Sequence, residues 1–157
     1  MSEPVFLEAI VDKFTFRVAT DRLYAREGVW LQSVPGEAEA PVRLLVGVTD
    51  LLQQEGGDVA FARVVDPGTP LIEGQELAEL ETIKVNVAIT SPIAATVLQV
   101  NEALASEPEI LNQDPYGKGW LAVLEPTSWE ADRKRFLDPR AYYDYMMDEV
   151  KREMEKR

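Results

Sequence analysis

The sequence predicts a mainly β protein: a small β-sandwich or barrel with short helices and one helix at its C-terminal end. Two observations predict the β part. Apolar residues recur at every second position in short runs, such as Phe14, Phe16, Val18 and Val85, Val87, Ile89. That is the period of a strand with one buried face. Turn signals separate the runs at short intervals, among them Pro67-Gly68, Glu73-Gly74 and Ser91-Pro92, as hairpins require. A third observation predicts the helix. After Asp138-Pro139, a good cap and first turn, Tyr143, Met146, Met147, Val150 and Met154 form a stripe at helical spacing. The stripe is expected to dock on the sandwich.

Bulk properties narrow the function. The 157 residues suit one domain with a real core. A net charge of −12 disfavours nucleic acid and anionic membrane surfaces, which would repel the chain. There is no cysteine and no histidine. Disulfides, thiolate or imidazole metal sites and Ser-His-Asp catalysis are therefore excluded, and the side chain best suited to proton transfer near neutral pH is missing. No metal site and no catalytic residue are expected. No apolar run reaches membrane-spanning length, and the first residues lack a basic segment ahead of an apolar one. The expected location is cytoplasmic.

The elements follow in order. Residues 1–20 read as an N-terminal extension, with strands around Val5-Phe6-Leu7 and Phe14, Phe16, Val18, that covers a sheet edge or meets a partner. Trp30 reads as a core or half-buried aromatic. Residues 33–41, rich in Pro, Gly and Glu, read as a hairpin loop. A strand over 42–48 leads to Thr49 or Asp50 as a helix cap, a short helix over 51–55, and a stop at Gly56-Gly57. In residues 58–65 the face of Ala60, Ala62 and Val64 is expected to point inward. Another strand covers 93–100, Asn101 caps a helix through 105, residues 108–112 make one helical turn, and 119–124 form a closing strand. Lys151, Arg152, Lys156 and Arg157 suit the C-terminal end of the last helix.

Between these lies the stretch that carries the chemistry, residues 77–92. Leu77, Ala78, Leu80 and Ile83 precede Lys84; Val85, Val87 and Ile89 follow it. Two strands meeting at a turn would put Ile83 and Lys84 at its tip, with the amine in water. Such a lysine is ordinarily only a solvated surface charge. The surrounding text adds more: Glu81-Thr82-Ile83-Lys84, then Val100-Asn101-Glu102-Ala103-Leu104, Pro108-Glu109-Ile110-Leu111-Asn112 and Asp114-Pro115-Tyr116-Gly117-Lys118-Gly119-Trp120. Together these resemble the glycine cleavage H-protein family of lipoyl carriers, in order and spacing, over roughly residues 21–125.

The resemblance implies a lipoyl/biotinyl-type hybrid-motif β-sandwich, or barrel-sandwich hybrid, over residues 21–126, with 1–20 as an extension and 127–157 as a helical segment beside it. It implies lipoate attached covalently to Lys84, with Glu81 serving recognition by a lipoate ligase or lipoyl transferase. The implied partners are glycine decarboxylase, aminomethyltransferase and dihydrolipoyl dehydrogenase, among which the arm would carry an aminomethyl group and reducing equivalents. The protein would be a shuttled carrier, not an enzyme. Phe136-Leu137-Asp138 with Tyr142 resembles the family's C-terminal motif and implies docking of the last helix.

Several positions depart from the family pattern. Gly28 and Val29 stand where the family has His and Glu, near the cleft that shelters the loaded arm; Ala94-Ala95 stands where a Gly is usual. The residues at 28, 29, 85 and 87 keep open a lipoate-binding relative serving other redox enzymes, such as those of sulfur oxidation. An unmodified interaction module is a third reading. A biotin carrier would show Met on both sides of the lysine, where this chain has Ile83 and Val85.

Overall fold

The computed structural model describes residues 5–34 and 42–156. Most of the loop expected over 33–41, and Arg157, expected to suit the end of the last helix, lie outside the described residues. In chain order the strands are β1 (Phe6–Val11), β2 (Phe14–Ala19), β3 (Leu23–Ala25), β4 (Val29–Val34), β5 (Arg43–Val48), β6 (Val59–Val64), β7 (Pro70–Leu71), β8 (Glu76–Thr82), β9 (Asn86–Thr90), β10 (Ala95–Val100) and β11 (Ala122–Pro126). The helices are α1 (Asp50–Gly56), α2 (Ala103–Ser106), α3 (Ile110–Gln113), α4 (Trp129–Asp132) and α5 (Pro139–Glu155).

A six-stranded sheet runs β3-β4-β5-β11-β10-β7, and a three-stranded sheet runs β6-β8-β9. Every described pairing is antiparallel. Their inner faces share one apolar core, with Leu44, Val46, Val97 and Leu124 from the larger sheet and Leu77, Leu80 and Ile89 from the smaller. This is the expected mainly β sandwich, and removing that apolar surface from water is its principal driving force.

The inward face of β6 is the expected one at Ala62 and Val64 and differs at the strand's start. Val59 and Ala62 are buried, whereas Ala60 is exposed. The cause is a bulge: Val59 pairs with Thr82 and Phe61 with Glu81, so Ala60 is an extra residue without a partner. One extra residue reverses the facing of everything before it.

The N-terminal hairpin β1–β2 turns at Asp12-Lys13, where Asp12 takes the left-handed φ of 57° that Asp tolerates. Among the described residues it pairs with neither larger sheet. Instead it lies over α1 and α5. The Arg17 amide donates to Asp50 Oδ2 (2.8 Å), Gln54 Nε2 donates to the Thr15 carbonyl (2.8 Å), and the Tyr116 hydroxyl donates to the Arg17 carbonyl (2.8 Å). A second apolar cluster fills this junction, with Phe16, Val18, Leu51, Tyr116, Met146 and Val150.

The last helix docks as expected, on a slightly rotated face. Its buried residues are Tyr142, Met146 and Val150; Tyr143 and Met147 flank them half-buried, and Met154 is exposed. Asp138 caps the helix by accepting from the Ala141 amide at 2.8 Å. The Tyr142 ring stacks on Tyr24 at 4.5 Å, and its hydroxyl donates to Thr49 Oγ1 at 3.2 Å. Leu137 exchanges two backbone hydrogen bonds with Tyr24, both 2.9 Å. Trp30 is fully buried, as expected of a core aromatic, and donates from Nε1 to the Pro115 carbonyl at 3.0 Å. The buried Arg22 guanidinium lies 4.5 Å from the Trp30 ring and donates to the Tyr116 carbonyl at 2.9 Å.

Candidate functional site

Strands β8 and β9 pair from Glu76 with Thr90 down to Glu81 with Asn86, so residues 83–85 form the exposed tip between them. Burial falls off along the hairpin: Leu77 and Ile89 are core residues, while Ile83 and Val85 are 73 % and 51 % exposed. The sequence periodicity stated which way the side chains alternate. It did not state what holds the tip in shape.

Thr82 holds it. Its Oγ1 accepts from the Lys84 amide at 3.1 Å and from the Val85 amide at 3.0 Å, and its hydroxyl donates to the Val85 carbonyl at 2.9 Å. The Thr82 amide donates to the same carbonyl at 2.9 Å. One hydroxyl thus satisfies the turn's polar backbone, as short hydroxyl side chains do in turns. The sequence signal for this clasp is a hydroxyl residue two positions before the lysine.

Lys84 is exposed, and its side chain runs along the end of α1. A β carbon added at Gly57 would lie 3.5 Å from Lys84 Cε and 3.9 Å from Nζ. Thr49 starts α1 by accepting from the Leu52 amide at 3.2 Å, and the Gly57 amide ends it on the Gln53 carbonyl at 3.1 Å. Gly57 has φ 82° and ψ −168°, a region open almost only to glycine. Asn112 fixes this corner. It donates to the Gly57 carbonyl at 2.9 Å and to Gln53 Oε1 at 3.1 Å, and accepts from the Val59 amide at 2.9 Å. Residues 108–112 therefore supply the seat under the lysine in addition to a helical turn.

Glu81 is exposed on β8, opposite Phe61 of β6 and Asn86 of β9. Neither Glu81 nor Lys84 takes part in an ion pair among the described residues. The two share a hairpin, and both are exposed. Gly28 and Val29 sit on another side of α1. Val29 is buried, and a β carbon at Gly28 would lie 2.9 Å from Leu52 Cδ1.

Beside Lys84 opens a cleft of about 310 Å3 between the β1–β2 turn, α1 and the end of α5. Phe16, Leu51 and Val150 give it apolar walls, and Glu55, Glu149 and Glu153 bring carboxylates. Partial desolvation holds the Glu55 carboxyl above its ordinary range, and the charges of Glu153 and Glu149 add to this.

A family model described as glycine cleavage H-protein matches residues 23–149. The chain belongs to the glycine cleavage H-protein family. A probable glycine cleavage system H protein of Thermococcus kodakarensis is 34 % identical over 131 residues, which is 83 % of this chain and 93 % of that protein. Glycine cleavage system H protein 4 of Aquifex aeolicus is 34 % identical over 144 residues, covering 90 % of this chain and 78 % of its own. The crystal structure of a glycine cleavage system H protein from Mycobacterium marinum superposes with a TM-score of 0.62 at 30 % identity, over 69 % of this chain and 85 % of that one. The family match begins only after the β1–β2 hairpin and stops before Glu153 and Met154. No helix among the described residues is long and apolar enough to cross a membrane.

Proposed function

We propose that this H-protein family member is a lipoyl carrier, modified on Lys84, that shuttles an aminomethyl group and reducing equivalents among the glycine cleavage enzymes. The single observation that supports this most is the position of Lys84: exposed, free of ion pairs among the described residues, and presented on a tip clasped by Thr82. A lysine at such a place can enter another enzyme's active site without unfolding its own domain. Lipoate held there as an amide would supply disulfide redox and group carriage, chemistry that a chain without cysteine cannot perform with its own side chains.

The chain's own residues present, orient and support. Thr82 fixes the backbone of the tip, and Gly57, held by Asn112, shapes the end of α1 along which the lysine stem lies. Glu81 and the exposed Phe61 opposite it offer a carboxylate and an apolar contact to a lipoate ligase or lipoyl transferase. In this reading the protein is a substrate passed between glycine decarboxylase, aminomethyltransferase and dihydrolipoyl dehydrogenase, and not itself a catalyst.

The test is the intact mass of the chain after incubation with lipoate ligase, lipoate and ATP, beside a Lys84→Arg variant. A lipoyl-sized increase that vanishes in the variant is the expected result, with both chains equally folded. No increase in the folded parent would overturn the reading.

A further inference from the structure

We infer that Phe14 and Met154 form an apolar shoulder on which the enzyme that modifies Lys84 rests, in addition to its contact with the β8–β9 tip, and that this shoulder sets how tightly that enzyme binds the chain. The inference rests on the reading of Lys84 as the attachment point and adds a partner contact made by other elements.

Among the described residues ten large apolar side chains are exposed, and four of them border Lys84. Ile83 and Val85 adjoin it in sequence and are 73 % and 51 % exposed. Phe14 and Met154 line the same cleft as Lys84 from the far side and are 42 % and 39 % exposed. Exposed apolar groups gathered at one place are the mark of a contact surface. Phe14 is well placed to bear load: it pairs with Val11 beside the hairpin turn, and its ring lies 6.5 Å from that of the buried Phe16.

Continuity with the tip and charge together name the occupant. An enzyme that reaches the Lys84 amine covers Ile83 and Val85, and a rim that spans the cleft then meets Phe14 and Met154. Between the two apolar sides lie the carboxylates of Asp12, Glu55, Glu149 and Glu153. Arg152 pairs with Glu149 at 2.9 Å and Lys156 with Glu153 at 3.8 Å, but Glu55 has no ion pair among the described residues. A basic, partly apolar rim fits this ground, whereas a second copy of a chain with net charge −12 is repelled from it. Phe14 and Met154 both lie outside residues 23–149, the span that the family model matches. The shoulder therefore gives a modifying enzyme a handle beyond the family's shared text.

The test is the rate of lipoylation by lipoate ligase, with lipoate and ATP, as a function of chain concentration. Phe14→Ser/Met154→Ser should raise KM about tenfold with kcat unchanged, because Lys84 and its tip are intact. Phe14→Leu, which keeps an apolar contact, should stay near the parent. Ile72→Ser removes a 64 % exposed side chain before the start of β8, the end away from Lys84, and should change nothing. In the parent KM should rise with salt. An unchanged KM in the folded double variant overturns the shoulder, as does an equal rise in Ile72→Ser or a loss confined to kcat. A KM indifferent to salt overturns the basic rim. A dimer of the chain that dissociates in the double variant assigns the surface to a second copy and overturns the proposal. If the folded parent is not modified at all, the carrier reading fails and the shoulder falls with it.

Discussion

The stem of Lys84 lies along Gly57, with Cε 3.5 Å from where a β carbon would stand. That distance is ordinary van der Waals contact, so room is not what requires glycine there. Conformation is, because φ 82° with ψ −168° strains any other residue. Gly57→Ala should therefore lower stability by about 1–3 kcal/mol, seen as a lower urea midpoint. If the backbone relaxes, the end of α1 moves and Lys84 shifts with it, which slows lipoylation in a timed mass assay. Unchanged stability would show that the corner is not strained.

Asn112 ties the Gly57 carbonyl to the start of β6 through three hydrogen bonds. Asn112→Ala leaves the Val59 amide and the Gly57 carbonyl without those partners, at a cost of about 1–3 kcal/mol. Asn112→Asp keeps the acceptor for the Val59 amide and loses both donated bonds, so it should fall between the parent and alanine. Chemical denaturation of the three chains checks the order.

The Thr82 clasp predicts a sharp contrast between two substitutions. Thr82→Ser keeps the hydroxyl and should preserve slow amide exchange at Lys84 and Val85. Thr82→Val keeps the shape and loses the hydroxyl. Exchange at those two amides should rise, and stability should drop by about 1 kcal/mol. Hydrogen exchange read by NMR separates the outcomes, and equal exchange in both variants would remove the clasp from the account.

Much of this site was legible in the sequence. The period of two around Lys84 gave the hairpin, and the alternation of Val87 and Ile89 gave its inner face. The cap at Thr49 or Asp50 and the stop at Gly56-Gly57 bracketed α1, and Asp138-Pro139 marked the start of α5. What was not legible depended on pairing at a distance. The bulge at Ala60 arises from the register between β6 and β8, which local alternation cannot reveal. The face of α5 turned from Tyr143 to Tyr142 because the Tyr24 ring and Thr49, far away in sequence, set the docking angle. Asn101, read as a helix cap, does accept from the Ala103 amide, but its amide group also donates to the carbonyls of Lys118 and Trp120. The buried guanidinium of Arg22 gave no local signal at all.

Glu55 supplies a pH prediction. Its carboxyl is held above the ordinary range by desolvation, with the charges of Glu153 and Glu149 adding to the effect. The folded chain therefore holds this proton more tightly than the unfolded chain does. The resulting stability is complete below the unfolded value and is lost as pH rises through the folded one. Glu55→Gln removes that loss. The variant should melt above the parent near neutral pH and alongside it below the carboxylate range. The gain should stay under about 1 kcal/mol, because water reaches and screens the group. Calorimetry at the two pH values checks the sign, and a neutral-pH melting point at or below the parent's would contradict it.

Among the described residues the hairpin β1–β2 joins no other sheet and is held to the rest by side chains of Tyr24, Asp50, Gln54 and Tyr116 and by a patch of apolar contact. Such an attachment can let go as a unit, because few ladder bonds must break together when it opens. The six-stranded and three-stranded sheets do not need it to remain paired, so the lysine tip would survive its departure. Opening would erase one bank of the cleft and bare the outer side of α1. The strand ladders of the two larger sheets keep Lys84 on display, while the hairpin, buried through Phe16, Val18 and Ala19, supplies one bank of the cleft beside it.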